Sequence, residues 1–392
     1  MERNDRLLAA AQGYVDRQQF AGIEWHVEAR GQVLTAGRVG HADAAGKTPI
    51  ADEALYRIYS MTKPVVSVMA LMLIEQGKLR LYDALAQFNP AFAAMRVLLP
   101  TGRLEPAQRP ILVEDLLTHR AGFTYEFITG CHIAPGYDAV DLSSDGRCSL
   151  DETMTKLAAQ PLAFQPGSQY RYSVSTDALA HVLERVTGRS LSSLLKEFIF
   201  DPLAMHDTDY YVPADKQARL MPMFGVTDVS EFSSLNPPAK QVLVDADVED
   251  MHPSNDPGYT RGGHGLFSST SDYAKFARML LTGKTPDNRT ILSRPMLAML
   301  TTNRIPADQL PLTIGMNSLP GYGWGLGVRV MMDTGRALSL TNNGEFGWAG
   351  AASTYFWVDP GEQMIGIFMS QYLGSVLPMA DDLRTAAYQM LV

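Results

Sequence analysis

Hydrophobic and polar positions recur with two different periods along this chain, and the switches between them outline its elements. Residues 1–20 (MERNDRLLAAAQGYVDRQQF) place apolar side chains at helical spacing with charges scattered between them, predicting an amphipathic helix. Two runs of strand character follow, Gly22–Ala29 and Gln32–Val39, split by Arg30-Gly31, the two-residue link of a tight hairpin. Tyr56-Arg57-Ile58-Tyr59 is strand-like and leads into Ser60. From Lys63 to Gln76 nearly every position is apolar and Gly77 closes the run, which predicts a helix buried on most sides.

Further on, Val113–Thr118, Thr176–Thr187 and Leu191–Phe200 read as helices, the second with Ser175 or Thr176 as its N-cap and a glycine stop. Residues from about 205 to 262 are rich in Pro, Asp, Ser and Met and keep no period. They predict irregular surface structure of the kind that walls binding clefts. Helical spacing resumes over Ser271–Leu281, with Ser271 as the cap. The last part is strand-like over Gly323–Met331, Ala337–Thr341, Ala351–Val358 and Met364–Ser370, punctuated by Asn-Asn-Gly and Asp-Pro-Gly turns; a helix over Pro378–Leu391 closes it.

Strands at both ends with helices between them predict an α/β (α+β) fold. Residues 1–58 and 260–392 would form a lobe around one sheet, and 59–259 a mainly helical lobe, with the active site in the cleft between them.

Composition narrows what such a fold can do. The 392 residues are 46% hydrophobic and 19% charged, the balance of a chain with a large core. The formal net charge is −9 and there is no long basic stretch, so neither nucleic acid nor an anionic membrane is an expected partner. Without a signal-peptide pattern at its start, the chain is expected in the cytoplasm. Its two cysteines, Cys131 and Cys148, are then expected as free thiols. His132 beside Cys131 does not make a zinc site, and no metal or cofactor is implied.

Candidate chemistry begins at Ser60-Met61-Thr62-Lys63, a Ser-x-x-Lys. On a helix these side chains stand one turn apart on one face, so a neutral Lys63 can accept the Ser60 proton during attack on a carbonyl. Keeping that lysine neutral near pH 7 requires lowering its pKa by roughly three units, about 4 kcal/mol, through burial or nearby positive charge. Ser60 also stands at a helix start, where free backbone N–H groups can receive an oxyanion. Pro64 supports that boundary, because a residue without an N–H is tolerated only in the first turn. The pattern alone is weak. Ser193-Leu194-Leu195-Lys196 repeats it inside an ordinary amphipathic helix, where a solvated lysine is the expected role.

Several segments, in order, resemble the serine β-lactamase superfamily, most closely its class C β-lactamase and family VIII carboxylesterase branches. Besides Ser60–Lys63 these are Leu116-Leu117-Thr118-His119-Arg120-Ala121-Gly122, Tyr172-Ser173-Val174, Gly262-Gly263-His264-Gly265-Leu266-Phe267-Ser268-Ser269, and Phe346-Gly347-Trp348-Ala349-Gly350. The resemblance implies the β-lactamase/transpeptidase-like fold, an antiparallel sheet flanked by helices plus a helical lobe. It implies Ser60 as nucleophile, Lys63 as its base, and Tyr172 as the tyrosine that passes a proton to the leaving group, with nearby positive charge favouring its phenolate. The Ser60 and Ala351 amides would form the oxyanion hole, while Tyr125, Trp348 and Gly350 would line the substrate cleft. Asp177 would cap or pin the helix after Tyr172.

Two departures bear on the reaction. Val174 replaces the asparagine of Tyr-x-Asn, and Trp348-Ala349-Gly350 stands where β-lactamases carry Lys-Thr-Gly. An indole in place of a cation favours neutral acyl groups over anionic substrates. The expected partner is a small-molecule ester, and the expected activity a serine carboxylesterase acting on short acyl chains, with weak β-lactam turnover as a side activity. A β-lactamase or DD-peptidase, a Ser60 acyltransferase and a silent penicillin-fold binder are the alternatives. No Gly-x-Ser-x-Gly is present, and His119, His252 and His264 lack the local motif of a Ser-His-Asp triad.

Overall fold

A computed structural model describes residues 5–227, 241–315 and 317–391. Its first element is helix α1 (Asp5–Asp16), followed by the hairpin β1 (Gly22–Ala29) and β2 (Gln32–Gly40). A short strand β3 (Tyr56–Arg57) enters a single 3-10 turn, Tyr59–Met61, which runs straight into helix α2 (Thr62–Glu75). Every residue of α2 from Thr62 to Leu73 is buried, because its apolar side chains leave no face for water. Gly77, with φ of 69°, ends it as expected.

Helix α3 (Val113–Leu117) packs against α4 (Ser175–Thr187), which in turn packs against α2 and ends at Gly188 in the left-handed conformation. The predicted helix over Leu191–Phe200 divides into one α-turn stretch, α5 (Leu191–Leu195), and a π-helical stretch to Phe200. The region from 205 to 262 is largely irregular, as its lack of period suggested; its residues 228–240 lie outside the described residues. Strand β4 (Phe267–Ser268) pairs with β3, so the Gly262–Ser269 segment is laced beside the turn that carries Ser60. Helix α6 (Thr270–Thr282) is capped by Ser269, whose side chain accepts from the Asp272 amide, and not by Ser271.

The C-terminal strands are β5 (Tyr322–Trp324), β6 (Arg329–Met331), β7 (Phe346–Gly350), β8 (Thr354–Asp359) and β9 (Met364–Met369), with helix α7 (Met379–Tyr388) last. They join the N-terminal hairpin in one antiparallel sheet ordered β5-β6-β7-β8-β9-β1-β2. Both chain ends therefore contribute to a single sheet. Helices α1 and α7 pack together and bury Leu7, Ala11 and Leu383 with Trp25 and Trp357.

Three strand expectations need correction. Gly323–Met331 is a hairpin, not one strand, because Gly327 (φ 102°) turns the chain between β5 and β6. Ala337–Thr341 forms no strand: Leu338 is 83% exposed, so the alternating pattern has no surface to cover it. The strand expected from Ala351 begins at Thr354, and residues 351–353 are the turn out of β7.

Candidate active site

Ser60 is presented on a turn that the chain holds under strain. Tyr59, just before it, takes φ of 42°, a left-handed conformation that costs a residue with a side chain roughly 1–3 kcal/mol and persists only where neighbours impose it. Those neighbours are identifiable. The Ile58 amide donates to Leu266 O at 3.1 Å, the Leu266 amide donates to Thr62 Oγ1 at 3.2 Å, and Tyr273 Oη donates to Met61 O at 2.8 Å. From the other side β7 closes on the same turn. A Cβ at Gly350 would lie 2.3 Å from Ile58 O, so only glycine lets the strand come this near.

One helical turn on, Lys63 points back at Ser60. Its Nζ lies 3.0 Å from Ser60 Oγ and donates to Gly263 O at 2.6 Å. The side chain is 1% exposed and its amine stands 4.7 Å and 5.2 Å from the ring centres of Tyr172 and Tyr125. Burial pulls the Lys63 pKa down from 10.5 to about 7, partly opposed by the negative charge of Asp177. An amine so placed is neutral in a substantial fraction of molecules at neutral pH, and can take a proton from the hydroxyl it touches.

Tyr172 completes the group. Its hydroxyl shares a hydrogen bond with Ser60 and accepts one from Trp348 Nε1 at 3.1 Å. The positive charge expected to favour its phenolate does not prevail: burial raises the Tyr172 pKa, so the phenol rests protonated. Around it stand His119, 4.8 Å away centre to centre, and Trp324, which meets the Trp348 ring edge-on at 4.5 Å. His119 is buried and kept neutral by desolvation, with Nδ1 3.3 Å from Ser173 Oγ, which makes it a wall of this aromatic box. No carboxylate partners it, His252 or His264 in the hydrogen bonds of the described residues.

A cavity of about 410 Å³ opens over Ser60, and Tyr125, Tyr172, Trp348, Gly350 and Ala351 all line it. Lys63 sits behind Ser60, out of the lining. Ala351 is exposed in the turn after β7, on the same cavity as Ser60. Among the described residues the lining holds one cation, Arg329, whose Nη2 already donates to Tyr355 Oη at 2.6 Å and approaches Glu345 at 3.4 Å. The lining also includes Phe127, Ile314 and Leu319 and, beyond β7, Phe20 and Leu377; the cavity volume falls in the range of roughly 300–1,000 Å³ that holds drug-sized ligands.

Of the two roles expected of Asp177, capping or pinning its helix, the first does not hold. Its carboxylate does not cap its own helix: Oδ1 accepts the Gly263 amide at 3.0 Å, across 86 residues of chain. Nothing local signals that partner, since an acid in the first turn of a helix is common for electrostatic reasons. The cysteines are free, with Cys131 Sγ 2.7 Å from Arg171 Nη1. Among the described residues no cluster of His, Cys, Asp and Glu is disposed to hold a metal ion, and no helix is long and apolar enough to cross a membrane.

A strained turn presenting a serine, a buried lysine one helical turn away and a strand edge closing on both sit on a β-lactamase/transpeptidase-like fold. The chain belongs to the Beta-lactamase family, whose model matches residues 7–390. Protein Rv1367c of Mycobacterium tuberculosis is 30% identical over 365 residues, covering 91% of this chain and 87% of its own. Esterase EstB of Burkholderia gladioli is 26% identical over 402 residues, covering 98% and 94%. Among solved structures, EstCE1, described as a hydrolase with promiscuous acyltransferase activity, superposes with a TM-score of 0.83 at 23% identity over 98% of each chain.

Proposed function

We propose that this protein is a serine carboxylesterase that works through an acyl-Ser60 intermediate. The observation that carries the proposal is the buried Lys63 amine 3.0 Å from Ser60 Oγ at the floor of a mostly apolar cavity. Lys63 takes the hydroxyl proton as Ser60 Oγ bonds to the ester carbonyl carbon. The oxyanion rests on the Ser60 and Ala351 amides. Tyr172 gives its proton to the departing alkoxide and regains one from the Lys63 ammonium. Water, deprotonated by the same pair, then attacks the acyl-enzyme and frees Ser60.

Trp348 supports a neutral ester over a β-lactam or peptide carboxylate. Its indole fills the position of a cation, and the Arg329 guanidinium is engaged by Tyr355 and by Glu345, which it shares with Arg384. The length of the cavity supports substrates with larger apolar groups as well as short acyl chains. The same lining favours a second reading, in which an alcohol replaces water and the acyl group is transferred; EstB and EstCE1 bear names consistent with each reading.

A fluorophosphonate probe tests the nucleophile: native protein is labelled and Ser60→Ala is not. Turnover of p-nitrophenyl butyrate should exceed that of nitrocefin. Preference for nitrocefin, or an unlabelled native protein, overturns the assignment.

A further inference from the structure

The carboxylate of Asp177 is buried inside the structure, 2% exposed, with one oxygen on the Gly263 amide and the other without a hydrogen-bond partner among the described residues. A buried carboxylate is costly unless something uses its charge. The peptide it holds is the one that receives Lys63: the Gly263 amide donates to Asp177 while the Gly263 carbonyl accepts from Nζ. Space around that peptide is closed. A Cβ at position 263 would come within 2.6 Å of Asp177 Oδ2 and 2.7 Å of Tyr125 Oη, and one at 262 within 2.0 Å of Thr176 O. The two glycines therefore let one strand of backbone pass between an anion and an amine.

We infer that Asp177 is a positioning residue of the reaction, which through the Gly263 peptide holds the Lys63 amine against Ser60 and supplies the negative charge that offsets its burial. The inference rests on Ser60 and Lys63 acting as nucleophile and base. Without that charge the amine would be neutral but a poor acceptor, since the ammonium formed during attack would stand unaccompanied among aromatic rings. With it, the ammonium has a carboxylate across one peptide and a carbonyl in contact.

Other groups facing the amine do not substitute for Asp177. Ser60, Tyr125 and Tyr172 are hydroxyls, the two phenols held protonated by burial. His119 and His264 are held neutral by the same cause. Burial raises the Asp177 pKa, and the Gly263 amide, the Lys63 charge and the Arg261 charge oppose that rise by favouring its ionised form.

The pH profile of kcat/KM separates this role from a structural one. Esterase activity should rise with pH as Lys63 loses its proton. Asp177→Asn keeps the acceptor for the Gly263 amide but removes the charge, and should move that rise to lower pH by about half a unit or more, while the plateau falls about tenfold or more. Asp177→Glu should leave the midpoint near that of the parent. Should Asp177→Asn fail to fold, Arg261→Gln, which removes a charge that favours ionised Asp177, supplies a weaker perturbation of the same sign and should also move the rise to lower pH. A midpoint unmoved in folded Asp177→Asn, or in Arg261→Gln, overturns the inference. Fluorophosphonate labelling run on the same samples keeps the two ideas apart: an unlabelled Ser60 in native protein defeats the nucleophile assignment, whereas labelling with an unmoved midpoint defeats only the role of Asp177.

Discussion

Lys63→Met should stop turnover and yet make the folded chain more stable at neutral pH. Folding withdraws the amine from water, and its pKa falls from 10.5 to about 7. That difference, about 3.5 pH units at ~1.4 kcal/mol each, amounts to about 5 kcal/mol. Below about pH 7 the amine is protonated in both folded and unfolded chains, and this whole cost weighs against the fold. Between about 7 and 10.5 only the unfolded chain keeps the proton, so stability from this group rises by ~1.4 kcal/mol per pH unit. Above 10.5 the amine is neutral in both states and the cost is gone.

Methionine fills the same unbranched volume without a charge. Against it stands the Gly263 carbonyl, left without its donor at 2.6 Å, which costs about 1–3 kcal/mol. The variant should thus be about 2–4 kcal/mol more stable than the parent at or below pH 7, and its advantage should shrink by ~1.4 kcal/mol for each pH unit above. Urea unfolding of both proteins from about pH 6.5 to about 9.5 measures the difference, in which contributions common to the two cancel. An advantage that does not change with pH, or a variant less stable than its parent at pH 7, would mean that the amine is charged in the folded protein. The proposed base would then be lost.

Three further substitutions probe the supports of the site. Trp348→Phe deletes the donor to Tyr172 Oη and should lower kcat about five- to tenfold, the worth of roughly 1 kcal/mol for one hydrogen bond, in steady-state ester hydrolysis; an unchanged kcat would remove the indole from the proton path. Gly350→Ala would push a Cβ to 2.3 Å from Ile58 O and should cost about 100-fold or more in kcat/KM, as β7 is driven off the nucleophile turn. Glu345→Ala leaves the guanidinium groups of Arg329 and Arg384 without their shared buried carboxylate, and should lower unfolding stability by about 3–5 kcal/mol. A loss below ~1 kcal/mol would show the pair satisfied by Tyr322 and Tyr355 together with the Ser339 and Asp381 partners of Arg384.

What the sequence made legible follows the range of the forces involved. Helix α2, the β1–β2 hairpin and the one-turn spacing of Ser60 and Lys63 depend on neighbours within a few residues, and each stands where the pattern put it. Strand β7 contains two glycines in five residues and shows little strand character of its own; it is made a strand by β6 and β8 on either side. Leu338 and Leu340 alternate as a strand should, but no element covers them. Asp177 looked like the acid of a first turn, because its partner is set by the path of the chain at Gly263.

The two Ser-x-x-Lys segments put the same point as a controlled comparison. Ser193 and Lys196 have the spacing of Ser60 and Lys63, yet the Lys196 side chain is 62% exposed and pairs with Asp201 at 3.3 Å, whereas Lys63 is 1% exposed. Spacing brings an amine within reach of a hydroxyl. The rings of Tyr125 and Tyr172 and the charge of Asp177, all from segments at least 60 residues away in the chain, decide whether that amine can accept a proton. A substitution that opened this aromatic packing to water would leave the motif intact while returning Lys63 to the condition of Lys196.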